Sequence, residues 1–128
     1  MHFDRKDPPR EFIVGNCNSI TIRDCGTILL AANEQVTFVT ENGAEYDVAR
    51  KDWGFYATPS LDGRLAGFGL RGVLIQNRDT KRYFVLLVER GREDVFEAYL
   101  AAENLRIVHW LDSQEACASI DREVGVPR

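Results

Sequence analysis

The chain is poor in the residues from which dedicated chemical sites are usually built. It has two histidines, His2 and His109, and three cysteines, Cys17, Cys25 and Cys117, with no CxxC spacing. An odd, scattered cysteine set excludes a disulfide framework and a zinc site made from cysteine pairs, so buried or half-buried thiols are expected. HxxxH, HExxH and an acidic calcium loop are absent, so no metal is expected. The phosphate loop GxxxxGK[ST] is absent too. The stretch Gly67-Phe68-Gly69-Leu70-Arg71-Gly72 has the outline of GxGxxG, but the residues after it read as a strand, which removes the dinucleotide interpretation. No cofactor is expected.

Long apolar runs are lacking as well. The longest, Tyr83 to Val88, is far too short to span a bilayer. The opening MHFDRKDPPR is charged and has no apolar core of a secretory signal, so a cytoplasmic location is expected. The net charge of −4 argues against general nucleic-acid binding.

What the chain does have is 45% apolar residues over 128 positions, enough for one domain with a real core. Charge is unevenly spread. Arg50 to Arg82 holds seven basic and three acidic residues, while Arg92 to Val124 holds three basic and eight acidic. The acidic half reads as the wet faces of two helices, and the basic middle as either a solvated surface or an attractor of an anionic ligand.

The periodicity predicts an α+β fold. Residues 1–11, with Pro8-Pro9 forcing an extended path, are expected as a flexible tail, and residues 12–128 as one domain. Ser19–Asp24 and Thr27–Ala32 read as strands separated by Gly26. Val36 to Val48 reads as a hairpin around Asn42-Gly43. A two-residue loop would set Phe38 opposite Asp47. A three-residue loop of Glu41, Asn42 and Gly43 instead pairs Phe38 with Tyr46 and Thr40 with Ala44, giving one apolar face. Further strands are expected at Gly72–Gln76, Arg82–Glu89 and Arg106–Leu111. A helix is expected over Arg92–Asn104, with Val95, Phe96, Tyr99 and Leu100 on one stripe, and another after Asp112-Ser113-Gln114-Glu115, ended by Gly125 and Pro127. The predicted architecture is a mainly antiparallel sheet, curved or closed into a small barrel, with two C-terminal helices.

The candidate site is the span Tyr46 to Gly72, which gathers Trp53, Phe55, Tyr56, Pro59 and five glycines with Arg50, Lys51, Arg64 and Arg71. Aromatic faces beside guanidinium groups suit a polar anionic ligand and also suit a protein–protein hot spot. In the ligand reading Trp53 or Tyr56 stacks on a ring, Arg64 with Arg50 or Lys51 holds a carboxylate or phosphate, Thr58 and Ser60 donate hydrogen bonds, and Arg71 is a further ligand-binding candidate. In the structural reading Trp53, Phe55 and Leu65 fill a core and the arginines cap carbonyls or pair with Asp52 and Asp62. The wording RKDWGFYATPSLDGRL resembles a signature of small uncharacterised bacterial proteins; that resemblance covers about a fifth of the chain and implies no activity and no residue roles.

Three functions follow as expectations. The first is a binding or accessory module for an anionic small molecule, such as a sugar nucleotide or acidic sugar, or for a partner enzyme. The second is a small enzyme acting on such a sugar, with Asp47, Asp52 or His109 as acid or base. The third is a homodimer whose aromatic segment is its interface.

Overall fold

A computed structural model describes residues 1–57 and 60–125. The fold is α+β, built mainly from antiparallel strands with its longer helices near the C-terminus. The strands form three open sheets. Among the described residues none closes into a barrel, which corrects that part of the expectation. Closure needs the first and last strands to pair; here the first strand pairs with its sequence neighbour instead. By contacts the chain divides into two compact units, Met1–Val36 with Val48–Ala57, and Thr37–Asp47 with Thr58–Arg128.

The first unit begins with a ribbon of β1 (His2–Val14) and β2 (Ile20–Leu29), joined by a 3-10 turn at Asn16–Asn18. The segment expected as a loose tail is therefore strand. Phe12 and Val14 face Ile22 and Ile20 across the ladder, an alternation that the charges and prolines around it obscured. The register shifts between Arg5 and Arg10, where four residues of β1 lie opposite Cys25 alone. Asp24 ties this bulge together. Its carboxylate accepts from Lys6 at 2.6 Å and from the Gly26 N–H at 3.2 Å. Gly26 does not end the strand as expected. It carries β2 through the bulge at φ +147°, where an added Cβ would lie 2.4 Å from the Asp4 carbonyl oxygen. Among the described residues of this unit only Leu30 is buried.

The second sheet has the order β3–β4–β5, with β3 Gln35–Val39, β4 Glu45–Lys51 and β5 Gly54–Ala57. Its β3–β4 loop takes the predicted three-residue form. The Thr40 N–H donates to the Ala44 carbonyl at 3.0 Å, the Gly43 N–H donates back to Thr40 at 3.0 Å, and Gly43 sits at φ +92°. The register continues through Thr37, whose hydroxyl donates to Asp47 at 2.7 Å, to Arg50, whose N–H donates to Glu34 at 2.9 Å.

The third sheet lies in the second unit with order β7–β6–β8: β6 Leu70–Asn77 at the centre, β7 Tyr83–Glu89 and β8 Leu105–Trp110 at the edges. The expected turn at Asn77–Thr80 is present, and the Asn77 side chain accepts from the N–H groups of Asp79 and Thr80. Val108 is the extra residue of a bulge in β8, since Leu74 faces His109 while Ile75 faces Ile107. Helix α1 is a single turn, Arg64–Gly67; α2 is Glu93–Ala102 and α3 is Gln114–Val124. Val73, Ile75, Val88 and Leu100 form one core cluster, on the α2 face of the sheet. Ala44, Leu65 and Leu70 form another on the opposite face. Helix α3 is capped by Ser113, which accepts from the Ala116 N–H at 3.0 Å, and ends at Gly125 in the left-handed conformation. The capping frame is thus one residue later than Asp112…Glu115 would set it, which frees Asp112 for another bond. Pro127, also expected to end this helix, lies outside the described residues.

Candidate functional site

The strand β4 reverses into β5 through a tight turn. Lys51 pairs with Gly54, so Asp52 and Trp53 form a two-residue loop, and Gly54 takes φ +144°. Arg50 lies directly opposite Phe55, and Ala49 opposite Tyr56. Side chains alternate along a strand, so Arg50 and Phe55 share one face, while Lys51 and Tyr56 share the other as diagonal neighbours. Each face of the hairpin thus offers one cation and one ring, with Trp53 at the tip.

These rings are not core. Trp53, Phe55 and Tyr56 are 68%, 62% and 59% exposed, whereas Leu65 is fully buried. The placing of Trp53 and Phe55 in a core is therefore corrected, while that of Leu65 stands. A short hairpin of four residues a side has too little depth to bury both of its faces. The cations are half-buried. Arg50 reaches only the Leu30 carbonyl at 3.5 Å, and Lys51 donates to the Asn33 side chain at 2.7 Å. Among the described residues no carboxylate pairs with either.

The other candidates belong to the second unit and are differently engaged. Ser60 Oγ accepts from the Arg64 N–H at 2.9 Å and starts α1. The Arg64 guanidinium lies over the Phe68 ring, 5.3 Å from its centroid. Arg71 is fully committed: Nε donates to Asp112 at 2.6 Å, a terminal nitrogen donates to Glu93 at 3.3 Å, and the group stacks on Trp110 at 3.8 Å. Asp112 and then Glu93 hold the Arg71 pKa above its ordinary value. Thr58 and Pro59 lie outside the described residues. The linear cluster is thus divided between the two units, with Arg50, Lys51, Trp53 and Tyr56 on one and Ser60, Arg64 and Arg71 on the other. Phe55 was not among the candidate contacts. The signal that finds it is the two-residue loop, which sets it opposite Arg50.

Two of the three residues considered for acid–base work, Asp47 and His109, are tied down locally, and Asp52 lies exposed in the β4–β5 turn. Asp47 accepts from Thr37, and the His109 ring donates from Nδ1 to the Trp110 carbonyl at 2.6 Å. Four carboxylates whose pKa moves, Asp24, Glu34, Glu89 and Glu93, move down because they accept hydrogen bonds: from Lys6, from the Ala31 N–H, from the Thr40 hydroxyl, and from backbone N–H groups, respectively. Burial pushes the Tyr46 phenol up. Among the described residues no helix is long and apolar enough to cross a membrane.

The β4–β5 hairpin and the α+β frame define a class by geometry alone: no protein-family model, no curated protein and no solved structure matches this chain.

Proposed function

We propose that this chain is a cytoplasmic, non-catalytic binding module whose recognition element is the β4–β5 hairpin. The observation that carries this reading is the pairing of exposed rings with carboxylate-free cations on both faces of one tight turn. Solvent-facing aromatic residues gain most when a partner covers them, and an adjacent guanidinium or ammonium selects for negative charge. The convex tip favours a partner enzyme with an acidic surface, because small-molecule sites are typically concave and enclose most of their ligand. A sugar nucleotide or acidic sugar is the second reading. It is supported by a ring and a cation side by side, which can take the base or sugar face and the anionic group of one molecule.

A thermal-shift screen of the full chain tests this reading. The panel is sugar nucleotides, acidic sugars, free nucleotides and poly-glutamate as a model acidic surface, with Trp53→Ala and Arg50→Glu run alongside. A ligand that binds only the folded state raises the melting temperature by mass action. A rise in the wild type that disappears in both variants supports the hairpin. A rise that both variants retain contradicts it.

A further inference from the structure

We propose that the outer edge of β7 is the seam of a homodimer, in which two copies of β7 pair antiparallel about Val85 and join their three-stranded sheets into one. This goes beyond the hairpin reading and rests on different residues, all within the second unit.

The first observation is an unpaired edge. Among the described residues no strand pairs with β7 on the side away from β6. Which main-chain groups face outward follows from the ladder. The Asn77 N–H donates to the Arg82 carbonyl and the Arg90 N–H donates to the Gly69 carbonyl. Hydrogen-bonded pairs alternate in an antiparallel ladder, so Phe84, Leu86 and Val88 bond inward to β6. Tyr83, Val85 and Leu87 therefore turn their N–H and C=O groups to the open side. A bare edge of this kind is a template for another strand unless charge, proline or a bulge blocks it. The stretch Tyr83–Val88 has none of these.

The second observation is that the side chains at this edge are apolar on both faces and left uncovered. Val85 is 61% exposed, and the rings of Tyr83, Phe84 and Tyr99 are between 40% and 57% exposed. An open groove lies on each face of β7. One, of about 440 Å³, is lined by Leu86, Val88, Val95, Phe96 and Tyr99; the other, of about 210 Å³, by Phe38, Tyr46, Leu70 and Leu87. Strand addition uses this combination, with main-chain bonds at the edge and apolar recesses for alternate side chains.

The occupant is a second copy because β7 meets its own requirements in area and register. The three rings alone expose roughly 300 Å². A standard interface covers about 800 Å² per partner, a little over half of it apolar, and Val85 and Val95 bring the exposed apolar area to that order. Outward groups must meet outward groups, which leaves a dyad at Val85 or at Leu86 as the central registers. A dyad at Leu86 sets Arg82 opposite Arg90 of the second copy, a like-charge pair that opposes association. A dyad at Val85 pairs Tyr83 with Leu87 of the second copy. It avoids the arginine clash and brings Lys81 and Glu89 of the two copies to the same end of the ladder. A dyad normal to the sheet also keeps both α2 helices on one face, where Val95 and Tyr99 of each flank the seam.

The test is sedimentation velocity of the full chain over a concentration series, with amide hydrogen exchange read residue by residue. Val85→Lys places a charge at an exposed position. Val85→Pro removes an outward N–H without touching the β6 ladder. The expected result is a wild-type dimer and monomeric, folded variants. In the wild type the amides of Tyr83, Val85 and Leu87 are protected together with those of Phe84, Leu86 and Val88. In Val85→Lys the Tyr83 and Leu87 amides lose their protection while the inward-facing ones keep theirs. A monomeric wild type overturns the proposal, whether or not its free edge takes up a foreign strand. So does a dimer that survives Val85→Lys or leaves the outward amides unprotected.

Discussion

The Arg71 guanidinium stacks 3.8 Å above the Trp110 ring while its Nε donates to Asp112 at 2.6 Å. One side chain thereby ties β6 to β8 and to the segment entering α3. The Asp112 side chain is almost fully covered, and Arg90 is the next cation, at 3.9 Å. Arg71→Ala should destabilise the folded state by about 2 kcal/mol, the scale of a charge-assisted hydrogen bond lost from a covered carboxylate. Arg71→Lys should recover only part of this, because an ammonium cannot both stack and fork. Urea unfolding of the two variants checks both statements, and a double-mutant cycle with Asp112→Asn should show strong non-additivity.

Acid should weaken the fold through carboxylates that accept hydrogen bonds. Asp24, Glu89 and Glu93 are each held below their ordinary pKa in the folded chain. A lowered folded pKa contributes stability that is complete above the unfolded value and lost as pH falls through the folded one. Stability should therefore be flat near neutrality and decline below the ordinary carboxylate range. Glu89→Gln should make that decline shallower in urea midpoints measured against pH. At the other extreme the raised Tyr46 phenol acts with opposite sign, giving stability that is lost as pH rises past the ordinary tyrosine value.

Gly43 holds the β3–β4 loop at φ +92° with open space where a Cβ would be. Gly43→Ala should cost about 1 kcal/mol from backbone strain alone, and Gly43→Asn less. Melting temperatures of the two variants separate strain from crowding, since crowding would penalise the larger asparagine more.

The legible parts of this fold are those governed by local parity. The loop register follows because one alternative mixes Asp47 with Phe38 on a face and the other does not. The α2 stripe follows from helical spacing, and the β6–β7 turn from Asn77-Arg78-Asp79-Thr80. The ribbon was not legible. Its bulge changes the alternation of β1 midway, so Phe3 and Phe12 do not fall on one simple period, and Gly26 looks like a stop where it is a bend. The site was partly legible. Arg50, Lys51, Trp53 and Tyr56 do share one hairpin, but nearness in sequence suggested one cluster where the chain passes from one unit to the other after Ala57. Arg71 could not be told from a ligand-binding arginine, because its partners lie 22 and 41 residues away.

Trp53 should matter little to stability. Its ring is mostly in solvent at the turn tip, so Trp53→Ala should change the unfolding free energy by less than about 0.5 kcal/mol. If the hairpin recognises a partner, the same change should weaken binding by about 2 kcal/mol or more, the scale of an aromatic hot spot. Chemical unfolding and titration calorimetry on one preparation read the two effects separately.

The most direct measurement follows the two indole N–H resonances of the full chain during titration with sugar nucleotides, acidic sugars and poly-glutamate. Trp53 and Trp110 are the chain's two tryptophans, one exposed on the hairpin and the other packed under Arg71, so each spectrum carries its own control. Recognition by the hairpin predicts that an anionic ligand moves the Trp53 indole together with the Arg50, Lys51 and Tyr56 amides and leaves the Trp110 indole in place. A saturable ligand that shifts other resonances while the whole hairpin stays still would contradict it.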